Sequence, residues 1–126
     1  MPLKYERMRV VSDLRGVVFE PVESDAIMKY KNAHVVISGP GVIRGNHYHV
    51  NGEETMAVMG PAMVRIKEAS GIADVEVPSG EVYQFIFHPG LSHAIKNLSD
   101  QFNVLMAFNT VVHDPQNPDT VRDVIL

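Results

Sequence analysis

Short apolar runs recur along almost the whole chain, and residues typical of turns separate each run from the next. The turn residues include the pairs Asn51-Gly52, Gly60-Pro61 and Pro89-Gly90. Runs at a spacing of roughly 8–12 residues, separated in this way, are typical of a β-sandwich or barrel. The runs cover residues 16–19, 33–37, 41–43, 53–59, 62–67, 73–77, 82–87, 91–95 and 102–108. The pattern predicts an all-β fold.

Alternation within one of these runs supports the same fold. Ala62, Val64 and Ile66 alternate with more polar neighbours, as expected for a strand with one buried and one solvated face. The best helix candidate, residues 23–31, has only weak helical periodicity. With 126 residues, of which 45% are hydrophobic, the chain is long enough for one domain with its own core.

Composition excludes several classes of protein. The net charge of −4 and the lack of a basic cluster argue against nucleic acid as a partner. No apolar run approaches the roughly twenty residues that cross a bilayer, and the N-terminus lacks a signal-peptide core. Because there is no cysteine, any metal must be bound by nitrogen and oxygen ligands. We expect a cytoplasmic protein with a small-molecule ligand.

Metal-ligating residue types are concentrated around the Asn51-Gly52 turn. His47 and His49 flank Tyr48, so an extended strand directs both imidazoles to the same face. A two-residue turn would then place Glu53 opposite the histidines. Glu54 is the competing carboxylate, but alternation would direct it to the other face. His93, forty residues on, completes a predicted site for one divalent ion such as Zn, Mn, Ni or Fe.

These residues carry a resemblance to the cupin superfamily. The first cupin motif is matched by Gly41, His47, His49, Glu53 and Gly60, and the second by Gly90, His93 and Asn97. The second motif departs from the pattern at its start, where His88 and Val82 replace Pro and Gly. The resemblance implies a single-domain jelly-roll barrel, or double-stranded β-helix, with a metal site inside its wide end. Over residues 1–126 we expect N-terminal strands or an arm at 1–32, the barrel core at 33–110 and a C-terminal tail at 111–126.

A narrower resemblance lies in three short segments, residues 13–16, 44–49 and 114–120. Residues 44–49 and 114–120 are similar to the cupin domain of capsular-sugar reductase/epimerases, and residues 13–16 with 44–49 are similar to nucleotide-sugar 3,4-ketoisomerases. This similarity implies isomerisation or epimerisation of a keto sugar, with a sugar or nucleotide sugar as the ligand. It also implies that His47 and His49 are catalytic, as an acid/base pair if no metal binds. Small cupins of this kind commonly pair as homodimers, which we expect here.

Two further residues are candidates for binding substrate. Arg44 suits an anion such as phosphate, because guanidinium binds it in a bidentate way. A salt bridge at the barrel rim is an equal alternative for Arg44. His88 is a candidate for the mouth of the pocket, whereas His34 and His113 are interpreted as structural and surface residues. The alternative functions are a metal-dependent dioxygenase and a non-catalytic sugar- or metabolite-binding cupin.

Overall fold

The described part of the chain, residues 3–126, forms twelve strands, and most of them lie in two five-stranded sheets. The structure is a computed structural model that describes residues 3–126, so the first two positions of the predicted N-terminal arm lie outside it. The strands are β1 (Lys4–Arg7), β2 (Val11–Asp13), β3 (Gly16–Val18), β4 (Asn32–Ser38), β5 (Ile43–His49), β6 (Glu54–Met59), β7 (Ala62–Glu68), β8 (Gly71–Val77), β9 (Val82–Phe87), β10 (Ser92–Asn97), β11 (Asn103–Asn109) and β12 (Thr120–Arg122). The all-β prediction is confirmed.

The two large sheets face each other, and all their pairs are antiparallel. The first has the strand order β1-β9-β6-β11-β4 and the second has the order β12-β5-β10-β7-β8, while β2 and β3 pair only with each other. The predicted helix at 23–31 is reduced to one turn of 3₁₀ helix, Ile27–Lys29. No helix among residues 3–126 is long and apolar enough to cross a membrane.

Apolar side chains from both sheets fill the space between them. Val64 and Ile66 of β7 are buried, as their alternation predicted, and they belong to the same cluster as Phe85 and Phe87 of β9. Burying each of these side chains stabilises the fold by roughly 1.5–3 kcal/mol. The core therefore holds the two sheets together beneath the end that carries the histidines.

Strand β5 contains a bulge immediately before its histidines. His47 pairs with His93 of β10, but Gly45 pairs with the next residue, Ala94, so Asn46 is an extra residue on β5. Gly45 has φ +90, and a Cβ there would lie 2.8 Å from the His93 carbonyl oxygen. Only glycine accommodates both the backbone angle and this close approach. The bulge therefore sets which side chains of β5 face the interior.

The segment between His49 and Glu54 does not form the predicted two-residue hairpin turn. β5 belongs to one sheet and β6 to the other, so residues 50–53 cross from sheet to sheet. The Asp119 carboxylate accepts the backbone N–H groups of Asn51 and Gly52 in this crossing. The Asn-Gly pair thus lies in a loop held by Asp119 and not in a β-hairpin. As a result, the residues of β6 that point into the barrel differ from those that a hairpin would predict.

Candidate metal centre and active site

Four side chains converge between the two sheets at one end of the barrel. His47 and His49 come from β5, His93 from β10 and Glu54 from β6, and one nitrogen or oxygen atom of each lies within 4.8 Å of the others. The His47 and His93 rings are 5.0 Å apart because the two residues are direct cross-strand partners. Three of the four predicted ligands are therefore brought together as expected.

The fourth prediction, Glu53, is corrected by the structure. Glu54 is 2% exposed and contacts His49 and His93, whereas Glu53 forms an ion pair with Lys29 at 3.2 Å. The reason is the crossing between sheets. Because β6 begins at Glu54 and faces β5 across the barrel, its first side chain points inward and the preceding carboxylate stays at the surface.

His93 is held in one orientation by its surroundings. It has no exposed surface, and its ring stacks on Phe87 with centroids 4.0 Å apart and an angle of 2°. Its Nδ1 donates to the Leu91 carbonyl at 2.9 Å, because a carbonyl oxygen only accepts. Nε2 then faces the Glu54 Oε1 atom at 3.1 Å. A lone pair opposed to a carboxylate oxygen requires a proton or a metal ion between them.

His49 lies between two carboxylates. Its Nε2 is 3.3 Å from Glu54 Oε2 and its Nδ1 is 3.8 Å from Asp119 Oδ2. This buried nitrogen has no hydrogen-bond partner, although Glu54 lies within ion-pair distance of it. A buried polar atom without a partner is costly unless a ligand satisfies it.

The environment of the cluster lowers the pKa of His47 and Glu54 and raises that of His49. Burial, followed by the neighbouring His93 and His49, lowers the pKa of His47 to about 4. Burial also lowers the pKa of His49, but the facing Glu54 carboxylate outweighs it and the pKa is raised. Burial raises the pKa of Glu54, yet the two histidines outweigh burial and hold it well below its usual range. Glu54 is therefore ionised and His47 neutral at pH 7, which are the forms that bind a cation.

These observations fit a divalent metal ion. Three imidazoles and a carboxylate are a donor set that Zn, Mn, Fe and Ni accept. The His93 Nδ1–H bond to a backbone carbonyl leaves Nε2 as the donor atom, which is the usual arrangement around a metal-bound histidine. The Nε2 of His49, which forms no hydrogen bond, adds a second nitrogen that a metal would satisfy.

A cavity of roughly 360 Å³ lies above the cluster, within the size range of small-molecule sites. Three of the four cluster residues border it, together with polar residues from other segments. These other residues are Asn32, His34, Asn109, His113, Asp114, Asp119 and Thr120. His34 and His113 belong to no motif, and the sequence alone favours a structural role for one and a surface position for the other. In the structure both border the cavity. Only the alternation of β4 signalled that His34 shares a face with the buried Ser38.

The two predicted substrate-binding residues do not border this cavity. Arg44 pairs with Ile95, towards the other end of β5, and its Nε donates to the Ser38 hydroxyl at 3.1 Å. His88 follows β9, and its Nδ1 donates to the Pro89 carbonyl at 2.9 Å. Their binding roles stay predictions. Asn97, expected to fix a turn, donates to the carbonyl oxygens of Ser38, Gly39 and Gln101.

Comparison with known proteins identifies the family. The model of the polysaccharide biosynthesis C-terminal domain matches residues 11–121. The chain belongs to this family. A curated family relative is similar along 86% of the chain with 31% identity, a UDP-2-acetamido-2,6-beta-L-arabino-hexul-4-ose reductase from Pseudomonas aeruginosa. The match spans only 29% of the length of that reductase.

Solved structures show the same fold. The capsular polysaccharide assembling protein CapF from Staphylococcus aureus superposes with a TM-score of 0.69 and 25% identity, over 94% of this chain and 33% of CapF. QdtA, a sugar 3,4-ketoisomerase from Thermoanaerobacterium thermosaccharolyticum solved in complex with TDP, gives a TM-score of 0.71 with 15% identity, over 96% of this chain and 88% of QdtA. The predicted cupin fold, and its likeness to these two kinds of protein, are confirmed.

Proposed function

We propose that the chain is a metal-binding cupin that isomerises or epimerises a keto sugar, in nucleotide-linked form, through an enediolate. The observation that carries this proposal is the convergence of three imidazoles and one buried carboxylate at a cavity that several other polar residues border. The sugar-modifying chemistry named for the related proteins supports the substrate class. The chain spans only about a third of the reductase and of CapF, so assigning it an activity of its own is part of the proposal.

His47, His49, Glu54 and His93 would hold the metal. When bound, a divalent ion supplies Lewis acidity that stabilises negative charge developing on a substrate carbonyl and its neighbouring hydroxyl. The chain itself orients the donors. Phe87 and the Leu91 carbonyl fix the His93 ring, while burial keeps Glu54 and His93 away from water. A rigid donor set at the bottom of a cavity would present a bound ion to a ligand in that cavity.

His34 supplies a base on the opposite wall of the cavity. It lies on β4 of the other sheet, and its charge is close enough to affect His47. Its Nδ1 donates to the Asn32 amide oxygen at 3.4 Å, which leaves the Nε2 lone pair free to accept a proton. Removal of a proton from the carbon beside the carbonyl, and its return to the same or the next carbon, would pass through this atom.

The test uses two neighbouring glutamates as variant and matched control. Glu54→Gln and Glu53→Gln are purified without added metal, and metal content is measured by mass spectrometry. We expect about one equivalent in the wild type and in Glu53→Gln, and a loss of most of it in Glu54→Gln, because only Glu54 contacts the histidines. Equal metal content in the two variants would refute the assignment.

Activity is tested separately. Nucleotide-linked 4-keto sugars are incubated with the loaded protein in deuterium oxide, and deuterium uptake at the carbons beside the carbonyl is followed by NMR. Uptake with the wild type that falls at least tenfold in Glu54→Gln supports the proposal. Uptake that persists without metal would favour His47 and His49 as a metal-free acid/base pair. Binding without any uptake would leave a non-catalytic sugar-binding cupin.

We also infer that the chain forms a homodimer. Strands β2 and β3 form a separate hairpin whose Val11, Val17 and Val18 are exposed. An isolated two-stranded hairpin is marginally stable in water, so a second copy is a suitable cover for its apolar face. Light scattering after gel filtration is expected to give twice the mass of one chain, and one chain mass for Val11→Lys with Val18→Lys. A monomeric wild type would refute this inference.

A further inference from the structure

The C-terminal tail makes specific contacts with the loop between two of the metal ligands. The Asp119 carboxylate accepts the backbone N–H of Asn51 at 3.0 Å, that of Gly52 at 2.8 Å and the Asn51 side-chain amide at 3.1 Å. Its side chain is only 16% exposed. Asp119 therefore holds a loop of the barrel from a distant part of the chain.

This loop joins His49 at one end to Glu54 at the other. The backbone of the tail follows the same path, since the Asp119 carbonyl accepts the Val50 N–H at 2.8 Å and Thr120 pairs with His49. One oxygen of the carboxylate, Oδ2, also lies 3.8 Å from His49 Nδ1. The opposite ring nitrogen of His49, Nε2, faces the other side chains of the proposed metal site.

We propose that Asp119 is a positioning residue that presents His49 to the metal through Nε2. The Asp119 carboxylate, 3.8 Å from Nδ1, favours a proton on that nitrogen and opposes Glu54, which lies 3.3 Å from Nε2 and favours a proton there. A proton held on Nδ1 leaves the Nε2 lone pair for a metal ion. The same carboxylate fixes the loop, so that His49 and Glu54 keep their separation. The inference rests on the metal site in the proposed function and adds a role for the tail segment 114–120.

The test compares Asp119→Asn with Asp114→Asn, a control in the same tail whose carboxylate accepts the nearby Gln116 N–H. The affinity for Zn²⁺ is measured by competition with a chromophoric chelator. The tautomer of His49 is measured by ¹⁵N NMR of the metal-free protein. We expect Asp119→Asn to bind Zn²⁺ about 10–100-fold more weakly and to have a smaller fraction of the Nδ1–H tautomer than the wild type. Asp114→Asn should match the wild type in both measurements, and Asp119→Glu should restore part of the affinity.

Each outcome decides the inference. Unchanged affinity and tautomer in Asp119→Asn would overturn it. Weaker affinity with an unchanged tautomer would also overturn it, because the carboxylate would then act only as a cap for the loop. If the wild type binds no metal, the proposed function fails, but the tautomer in the metal-free protein still tests Asp119 on its own.

Discussion

The barrel keeps the His47 imidazole neutral over a wide range of pH. Burial and the two neighbouring imidazoles lower its pKa to about 4, from an ordinary value of 6.5. The unfolded chain therefore binds a proton at this residue between pH 6.5 and about 4, while the folded protein does not. The stability that this difference represents is complete above pH 6.5 and is lost as the pH falls towards 4.

Replacing His47 should remove that part of the pH dependence. We expect metal-free His47→Gln to lose less stability than the metal-free wild type between pH 6.5 and 4, by on the order of 1 kcal/mol after allowing for the partly exposed ring. Urea unfolding at several pH values measures the difference. Parallel curves for the two proteins would contradict the assignment. The comparison assumes that His49 and Glu54 keep their positions in His47→Gln, so that they contribute equally to the pH dependence of both proteins. NMR spectra of the two metal-free proteins are the control for this.

Proton transfer and metal binding are separable at the level of single residues. His34 borders the cavity but does not belong to the group of metal-ligating atoms. We expect His34→Gln to keep its metal and to lose deuterium exchange by about 10²–10⁴-fold, the usual contribution of a general base. Metal content and exchange are measured on the same sample. A variant that retains full exchange would assign the proton transfer elsewhere in the cavity.

The bulge in β5 lies next to the histidines of the site. Gly45 in the bulge and Gly41, just before the strand, provide a matched test of its importance. Gly41 has φ +72 with nothing near its missing Cβ, whereas Gly45 has φ +90 and the His93 carbonyl within 2.8 Å. We expect Gly41→Ala to cost about 1–2 kcal/mol for the backbone alone. Gly45→Ala should cost about 1–3 kcal/mol more from overpacking, and should weaken metal binding because the carbonyl belongs to a ligand residue.

Denaturant unfolding gives both free energies, and metal titration gives the second effect. Similar losses in the two variants would show that the close approach at Gly45 is relieved at little cost. A stable Gly45→Ala protein with unchanged metal affinity would mean that the bulge does not set the position of His47.

Local pattern was sufficient to predict most strands, because alternation and turn residues act within a few positions. The strands from β6 to β11 lie within two residues of the predicted runs. The face of Glu54 was not predictable in this way. Asn51-Gly52 has the composition of a hairpin turn, but the sheet to which the next strand belongs is decided by contacts with Asp119 and β11, far along the chain.

The wall of the cavity shows the same limit. His47, His49 and His93 were predicted because they occupy motif positions. His34 and Asn109 enter the site only because β4 and β11 pair with each other beside β6. No spacing along the chain carries that information, since the pairing brings together residues about seventy-five positions apart.

At the scale of the molecule, the proposed metal ligands come from both sheets. β5 and β10 lie in one sheet and β6 in the other, so a bound ion would join the sheets at the end where the cavity opens between them. A ligand that binds only the folded state stabilises it by about 2.7 kcal/mol at a concentration 100 times its dissociation constant. Metal should therefore raise the melting temperature by several degrees.

Thermal unfolding with and without a chelator measures this effect. We expect the chelator to lower the melting temperature of the wild type and of Glu53→Gln, and to leave that of Glu54→Gln unchanged. A wild type insensitive to both chelator and added Zn²⁺ would contradict the proposed link between the sheets. A shift of equal size in Glu54→Gln would place the bound metal at another site.

The cavity has a floor made of strands and a rim made of loops, and this division has a consequence for diversification. The floor residues are fixed by hydrogen-bond ladders on both sides, whereas Val112, His113 and Asp114 are exposed loop residues beside the opening. Substitutions in those three positions alter the shape offered to a ligand while the ladders beneath stay intact. A library randomised at these positions would therefore vary ligand selectivity without altering the four side chains of the proposed metal site.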